Sequence, residues 1–237
     1  MILEQPWGGL GDNLQFSTLP ELCHENGIDF YLSVNNSYRN EDIKKLVWDN
    51  NPFVKGIIDE PINAGAIKMG IYGSLLKEDY SYIGAIEKAH GFEPKNDLPK
   101  IYYQPKNIEF FNDKTVLCLG SITDTFDTQF ILNNVKNLLD INDNVIELNF
   151  TKDLTELNNS YGVHKHYKTS YQQYNLNDIF EHCDIIYSAK KYICLFSGNS
   201  VLSAAINKKN TFVLTKYNDL DISKNYYFEN LNYIKLC

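Results

Sequence analysis

Short apolar runs alternate with amphipathic segments along most of the chain, and this alternation constrains the fold more than any other feature of the sequence. In the first part of the chain it predicts strands over residues 1–6, 28–34 and 53–58, with helices between and after them. Strands that alternate with helices are typical of parallel sheets built from βαβ units. Pro20 falls inside the first helical pattern, so we expect it to kink that helix or divide it.

A polar stretch at residues 104–113 separates this series from a second one with the same pattern. The second series predicts helices over residues 126–139 and 176–183, a largely irregular segment at 153–175, and a helix that opens after Ser197. Its strands are predicted over residues 115–120, 145–150, 184–188, 192–196, 211–215 and 233–236. We therefore expect an α/β fold made of two Rossmann-like, parallel-sheet halves, residues 1–108 and 109–237.

Composition narrows the classes of function. The 237 residues include 22 lysines and arginines against 30 acidic residues, a formal net charge of −8, which argues against a nucleic-acid partner. No stretch approaches the ~20 apolar residues of a membrane helix, and the first residues do not read as a secretory signal. The 5 cysteines show no C-x-x-C spacing, so we expect reduced thiols and a cytoplasmic protein without a zinc site.

The first stretch that could carry chemistry is a glycine turn between the first strand and the first helix. Gly9 and Gly11 allow the backbone to approach a ligand closely, and the helix that follows presents free N–H groups. Asp12 or Asn13 is expected to cap this helix. Alternatively, the Asp12 carboxylate takes a proton from a substrate hydroxyl at the carboxyl end of the strand. The pattern is not G-x-G-x-x-G, so a nicotinamide-dinucleotide site is poorly supported.

The second stretch is a small polar turn between the strand at residues 192–196 and the next helix. Ser197, Gly198, Asn199 and Ser200 offer hydroxyl and amide groups beside free backbone donors, which suits a phosphate or diphosphate. The alternative is a plain capped helix in a βαβ unit.

A third stretch follows the first strand of the second series. Ser121 and Thr123 could give hydroxyl contacts to the same ligand, or they could belong to an ordinary connecting loop with a cap. Two weaker candidates remain. His164 and His166 alternate in a polar segment and are expected on the surface, with a metal site as the alternative. The pair Lys190 and Lys191 is expected in solvent, although either could reach a phosphate.

These motifs, taken in order, resemble those of GT-B glycosyltransferases, and most closely glycosyltransferase family 9. That family begins with a strand, a G-x-G-D turn and a helix with a Thr-Leu-Pro-like step, and residues 9–12 and 17–20 are similar here. Residues 89–100 resemble the family's central helix, glycine and proline-containing strand. Residues 177–205 resemble its acidic helix start, strand, polar turn and alanine-rich helix. The glycine turn is also similar to that of glycogen and starch synthases.

The resemblance implies specific roles. It makes Asp12 the general base and places the donor diphosphate at Ser197, Gly198 and Asn199. The chain departs from the family at Phe196, where an aspartate is common, and at Val201, where a histidine is common. A lysine expected soon after Ser121 is also missing.

The expected activity is transfer of a sugar, with inversion, from a nucleotide-diphosphate donor to a hydroxyl of a glycan or lipopolysaccharide-like acceptor. The resemblance implies an N-terminal acceptor-side half facing a C-terminal nucleotide-sugar half across a cleft, with no metal and no cofactor besides the donor. Two alternatives stay open: a non-catalytic GT-B-like module that binds a nucleotide sugar or glycan, and a nucleotide-sugar epimerase. The departures at Phe196 and Val201 favour the module.

Overall fold

A computed structural model describes residues 1–59, 74–75, 80–121, 127–150, 165–215 and 228–235. The described residues fall into two compact units. The first contains those of Met1–Gln104 together with Phe228, and the second contains those of Pro105–Asn218 and the residues after Phe228. The first unit thus ends at the start of the polar stretch that separates the two strand–helix series.

The first unit is built on a three-stranded parallel sheet with the order β1-β2-β3. Its strands are β1 (Ile2–Leu3), β2 (Phe30–Ser33) and β3 (Val54–Ile58). Its helices are α1 (Leu10–Gln15), α2 (Leu19–Glu25), α3 (Glu41–Lys44, continued by a π-helical turn at Lys45–Asp49) and α4 (Tyr82–Ala89). Phe30 of β2 stacks on Trp48 of the π-helical turn, and both rings are fully buried, so the sheet and α3 share one core.

Pro20 divides the first predicted helix into two. Of the two outcomes expected from the sequence, a kink or a division, the division is the one observed. α1 ends after Gln15, and α2 restarts with Pro20 in its first turn, where a missing N–H costs no helical hydrogen bond. Leu14 and Leu19 are fully buried on either side of this break, so both short helices face the same core.

The second unit contains a six-stranded sheet with the order β11-β10-β9-β4-β6-β8, in which every neighbouring pair is parallel. The strands are β4 (Lys114–Cys118), β6 (Asn144–Phe150), β8 (Gln172–Leu176), β9 (Lys191–Leu195), β10 (Thr211–Thr215) and β11 (Asn232–Lys235). The helices are α5 (Thr128–Leu138), α6 (Ile179–Ser188) and α7 (Gly198–Ala205), and a 3₁₀ turn lies at Glu109–Phe111. A short antiparallel pair joins β5 (Gly120–Ser121) to β7 (Lys165–His166).

Counted within the second unit, this sheet has the strand order 3-2-1-4-5-6 of a Rossmann fold. The order reverses between β4 and β9, which are neighbours in the sheet although, among the described residues, two helices and four strands lie between them in the sequence. Both central strands are apolar and buried, as expected for a parallel sheet covered on both faces. The predicted α/β class with a parallel sheet in each half is confirmed.

The structure contradicts two predictions, the helix at residues 176–183 and the strand at residues 184–188. The structure has one helix, α6, over Ile179–Ser188. Asp178 begins it, because its carboxylate accepts hydrogen bonds from the backbone N–H groups of Phe180 and Glu181 at 2.9 and 2.8 Å. The apolar run at the end of the helix continues its buried stripe and does not start a new strand.

β8 lies in the segment that the sequence predicted to be largely irregular. It is the outer strand of the sheet beside β6, and most of its residues are exposed. An outer strand needs little apolar surface, so its polar residues carry no periodic signal in the sequence.

The four described cysteines, Cys23, Cys118, Cys183 and Cys194, are free and buried, as predicted for structural thiols. In the part of the chain that the structure describes, no helix is long and apolar enough to cross a membrane.

Candidate functional site

The glycine turn of the first unit leads from β1 into α1. Gly9 is the N-cap, with an extended backbone (φ −66°, ψ 154°), and Leu10 is the first helical residue. Gly11 and Asp12 are therefore the second and third residues of the helix, and the Asn13 N–H donates to the Gly9 carbonyl at 3.0 Å. The prediction that Asp12 or Asn13 occupies the N-cap position is wrong, because the helix begins earlier than the polar residues suggested.

Two of the glycines are required by close packing in this turn. A Cβ atom on Gly8 would lie 2.8 Å from the backbone nitrogen of Arg39, and a Cβ atom on Gly9 would lie 2.4 Å from Oδ2 of Asp12. The Arg39 N–H also donates to the Gly8 carbonyl at 2.8 Å. The turn is thus packed at Gly8 against the segment that follows β2, and a larger residue there would push the two apart. A larger residue at Gly9 would instead displace the Asp12 carboxylate.

Asp12 is half-buried at the carboxyl end of β1. Burial raises the pKa of its carboxyl above the ordinary value, while the Arg39 guanidinium and the backbone N–H of Gly9, which donates to the carboxylate, act in the opposite direction. A carboxylate with a raised pKa is a stronger base when ionised, and general-base catalysis is most effective when that pKa approaches the working pH. The side chain therefore combines a structural hydrogen bond with the properties of a base.

Asn13 is fully buried, and both ends of its side-chain amide bond to the protein. Its Nδ2 donates to the Gly9 carbonyl at 2.9 Å, and its Oδ1 accepts from Nε1 of Trp48 at 2.7 Å. This side chain ties the glycine turn to the π-helical turn after α3. No local pattern points to the Trp48 partner, which lies 35 residues further along the chain.

The switch point of the second unit is the place where the strand order reverses, between β4 and β9. It brings two predicted segments together. Cys118 at the end of β4 pairs with Cys194 of β9, so the segments that follow these strands leave the sheet at neighbouring positions. Ser121 follows β4 and Ser197 follows β9. In an open α/β sheet, ligands bind outside the carboxyl ends of the strands at such a reversal of strand order. Thr123, the other residue predicted after β4, lies outside the described residues.

The turn into α7 forms a complete capping box. Oγ of Ser197 accepts from the Asn199 N–H, and Oγ of Ser200 accepts from the Ser197 N–H, both at 3.3 Å. Ser200 is buried and also donates to the Ser197 carbonyl at 2.8 Å, so its side chain supports the turn from inside. Gly198 is the first helical residue and is half-buried with Asn199. α7 is therefore capped by its own side chains, through two long bonds, and the diphosphate interpretation of this turn stays a prediction.

The β5–β7 pair places a further segment at the same edge of the sheet. Gly120 lies opposite His166, and Ser121 lies opposite Lys165. The sequence predicted His166 to be on the surface and said nothing of Lys165, because the pairing of β7 with β5 leaves no local pattern. His164 lies outside the described residues.

Glu147 holds the chain that follows β7. This buried residue of β6 accepts hydrogen bonds from the Thr169 N–H at 2.8 Å and from Nε2 of Gln173 at 2.9 Å. The Tyr167 N–H in turn donates to the carbonyl of Leu119 at 3.1 Å. These bonds fix the segment beside the end of β4.

Lys191 does not belong to this edge of the sheet. It is the first residue of β9, and its Nζ donates to the Leu138 carbonyl and to Oδ2 of Asp143, each at 3.0 Å. Its side chain is only 11% exposed, so the expectation of a solvated residue is wrong for it, while Lys190 is 52% exposed. Among the described residues, no group of three or more His, Cys, Asp or Glu side chains could hold a metal ion.

No family model and no curated protein matches the chain. Solved structures do match. The iron-containing dodecameric glycosyltransferase TibC from enterotoxigenic E. coli H10407 aligns with a TM-score of 0.64 at 15% identity, over 98% of this chain and 61% of TibC. A second TibC structure is its complex with ADP-D-β-D-heptose.

Two further structures match over most of their own length. The family 9 glycosyltransferase from Veillonella parvula DSM 2008 aligns with a TM-score of 0.57 at 9% identity, over 99% of this chain and 85% of that one. The E. coli heptosyltransferase WaaC with ADP aligns with a TM-score of 0.56 at 12% identity, over 99% and 92% of the two chains.

These likenesses establish the fold. The chain has the α/β fold of GT-B glycosyltransferases and resembles family 9, as its motifs predicted. The chain spans 61% of the length of TibC.

Proposed function

We propose that this chain is a glycosyltransferase that moves a sugar from a nucleotide-diphosphate sugar to an acceptor hydroxyl, with inversion at the anomeric carbon. The observation that carries the proposal is Asp12, a half-buried carboxylate of raised pKa in a glycine turn at the carboxyl end of β1. The fold likeness to heptosyltransferases supports it, since the neighbours named for that activity share this architecture.

The proposed donor site is the switch point of the second unit, residues 109–237 of the predicted division. The diphosphate would lie against the start of α7, where the helix dipole favours an anion. Its proposed contacts are Ser121, Thr123, Ser197, Gly198 and Asn199, with Ser200 shaping the turn. An ADP-sugar is the first donor to test, because the TibC and WaaC structures hold ADP-D-β-D-heptose and ADP.

The capping box is compatible with such a ligand. Its two 3.3 Å bonds are at the weak end of the hydrogen-bond range. A phosphate oxygen that accepts from the same N–H groups would therefore replace two weak hydrogen bonds, and little stabilisation would be lost. A charged acceptor also makes stronger bonds than a serine hydroxyl.

In the proposed reaction, Asp12 takes the proton from the acceptor hydroxyl as its oxygen attacks the anomeric carbon from the face opposite the diphosphate. The new carbon–oxygen bond forms as the bond to the diphosphate breaks, and the electron pair leaves with the nucleoside diphosphate. We propose that the reaction needs no metal, because the donors at the start of α7 stabilise the leaving charge. The first unit, residues 1–108, would bind the acceptor, a glycan or lipopolysaccharide-like molecule, near Gly9 and Gly11, with Asn13 holding the turn.

The test is a transfer assay with ADP-heptose and a panel of other nucleotide sugars on the wild type and Asp12→Asn. Asparagine keeps an oxygen that can accept from the Gly9 N–H but cannot act as the base. We expect the rate to fall by ~10²–10⁴-fold, the usual contribution of a general base. Asp29→Asn, an exposed acid of the same unit, is the matched control and should keep the wild-type rate. Equal turnover by Asp12→Asn and wild type would eliminate Asp12 as the base.

A non-catalytic module that binds a nucleotide sugar is the second candidate. The departures from family 9 at Phe196 and Val201, where an aspartate and a histidine are common, favour it. Saturable binding of ADP without turnover of any donor would support the module over the enzyme. Inverted anomeric configuration in a product, read by NMR, would support the enzyme.

A further inference from the structure

Arg39 is the only arginine in the chain, and its backbone is fixed to the glycine turn. The segment after β2 runs beside the segment after β1: the Ser37 N–H donates to the Gln5 carbonyl at 3.0 Å, and the Arg39 N–H donates to the Gly8 carbonyl at 2.8 Å. The buried Gln5 side chain adds a bond from its Nε2 to the Ser37 carbonyl at 3.1 Å. The backbone of Arg39 therefore has a defined position next to α1.

The guanidinium and the Asp12 carboxylate lie on the same side of Gly9. The point where a Cβ atom of Gly9 would stand is 2.4 Å from Oδ2 of Asp12 and 4.0 Å from Nη2 of Arg39. Because Gly9 has no side chain, both charged groups can approach its backbone. Arg39 is half-buried, like Asp12, so solvent screens the attraction only partly.

The other ionisable groups around this turn are engaged elsewhere. Glu4 accepts from Oγ of Ser33 at 2.8 Å, and His90 at the end of α4 bonds to the Ile86 carbonyl at 2.7 Å. Glu87 of α4 accepts from the Lys95 N–H and from the amide of Asn96, each at 2.7 Å.

Tyr38 precedes Arg39, and Glu41 and Asp49 of the α3 segment act on it. Burial raises the pKa of this phenol and the two carboxylates add to the effect, so Tyr38 stays neutral at ordinary pH. Among the charged side chains of these elements, it is Arg39 that lowers the pKa of Asp12 against the effect of burial.

We propose that Arg39 is a positioning residue that holds the Asp12 carboxylate in the glycine turn as the anion. The inference rests on the proposed function, in which Asp12 must be ionised to accept a proton. Without the guanidinium, less would oppose the effect of burial on the Asp12 carboxyl, so that group would remain protonated up to a higher pH. The acid limb of the transfer rate would then move to higher pH, since only ionised Asp12 is active.

The test measures Asp12 directly, so it does not depend on transfer. The ¹³Cγ resonance of Asp12 in aspartate-labelled full-length protein, assigned with Asp12→Asn, is titrated in the wild type, Arg39→Met and Arg39→Lys. We expect Arg39→Met to raise the proton affinity of Asp12 by about threefold to tenfold, as loss of a nearby opposite charge does. Arg39→Lys should stay close to the wild type because it keeps the charge. Lys55→Met, which removes an exposed cation on β3, should leave the titration unchanged.

An unchanged titration in Arg39→Met would overturn the inference, and so would an Arg39→Lys titration that matches Arg39→Met. If the NMR titration shifts as expected while the wild type transfers no sugar, the role of Arg39 stands and the proposed function fails. Where transfer is measurable, the acid limb of kcat/KM should shift with the NMR titration.

Discussion

Asp12 shows how one residue meets a structural and a chemical requirement. Its carboxylate accepts from the Gly9 N–H, which is half of a capping arrangement, and this bond lowers its pKa while burial raises it. The two effects leave a side chain that is fixed in place and still more basic than an exposed aspartate. Sequence alone could not decide between a cap and a base, because both need a carboxylate at the start of a helix.

The Asn13–Trp48 bond provides a prediction at the same scale. Trp48→Phe removes the Nε1 donor and leaves Oδ1 of Asn13 buried without it, which should lower the free energy of unfolding by ~1–3 kcal/mol. The measurement is urea unfolding of Trp48→Phe, Asn13→Ala and the double variant. We expect a coupling energy of ~1 kcal/mol or more between the two sites. Strictly additive losses would show that the bond contributes nothing specific.

At the scale of elements, the sequence predicted the central strands and the outer strand β11, but it missed β8 at the other edge of the sheet and the short strand β7. After their first residues, β4 and β9 are mostly buried apolar runs, and such runs are visible without any knowledge of their neighbours. β8 is polar and exposed, and β7 depends on pairing with β5, so neither has a local signal. The end of α6 was misread as a strand because its apolar run is short enough to fit either element.

The N-cap residues of α6 and α7 are expected to differ in their effect on ADP binding. Ser197→Ala and Asp178→Ala each remove an N-cap side chain, and each should lower the free energy of unfolding by about 1 kcal/mol. Only Ser197 lies at the switch point, so only its loss should weaken ADP binding, by about threefold to tenfold for one lost hydrogen bond. Calorimetric titration of both variants with ADP is the measurement. Equal ADP affinities in the two variants would remove Ser197 from the proposed donor site.

At the scale of the molecule, strand order decides where the second unit can bind a ligand. The sequence predicted which segments are strands, but the neighbours β4 and β9 are far apart in sequence, and their pairing depends on the packing of the whole unit. Once that order is known, Ser121 and Ser197 fall at one edge, and the segment around Lys165 joins them through β5. The candidate residues were thus found by motif, and their common location required the structure.

The opposite end of the same sheet gives a prediction for stability against pH. Burial would raise the pKa of Asp143, but the backbone N–H of Asp140 and the side chains of Lys191 and Lys190 outweigh it and lower the pKa to about 2. A lowered pKa in the folded state means that this stabilisation is present above the unfolded value of 3.8 and is lost as the pH falls towards 2.

Asp143→Asn should therefore be less stable than the wild type at pH 6, and the difference should shrink steadily below pH 4. Urea midpoints of both proteins across this range measure it. Asp140→Asn is the matched control, because Asp140 contacts the same Lys191 at 3.4 Å from an exposed position and should matter little. A difference between Asp143→Asn and wild type that is constant with pH would contradict the assignment.

A crystal structure of the full chain with ADP would show whether the second unit holds a nucleotide-sugar donor at its switch point, as we propose. We expect the phosphates to lie against the start of α7, within hydrogen-bond distance of the Gly198 backbone and beside the ends of β4 and β9. ADP bound with its phosphates at the Gly9 turn of the first unit, or no bound ADP at saturating concentration, would contradict this proposal.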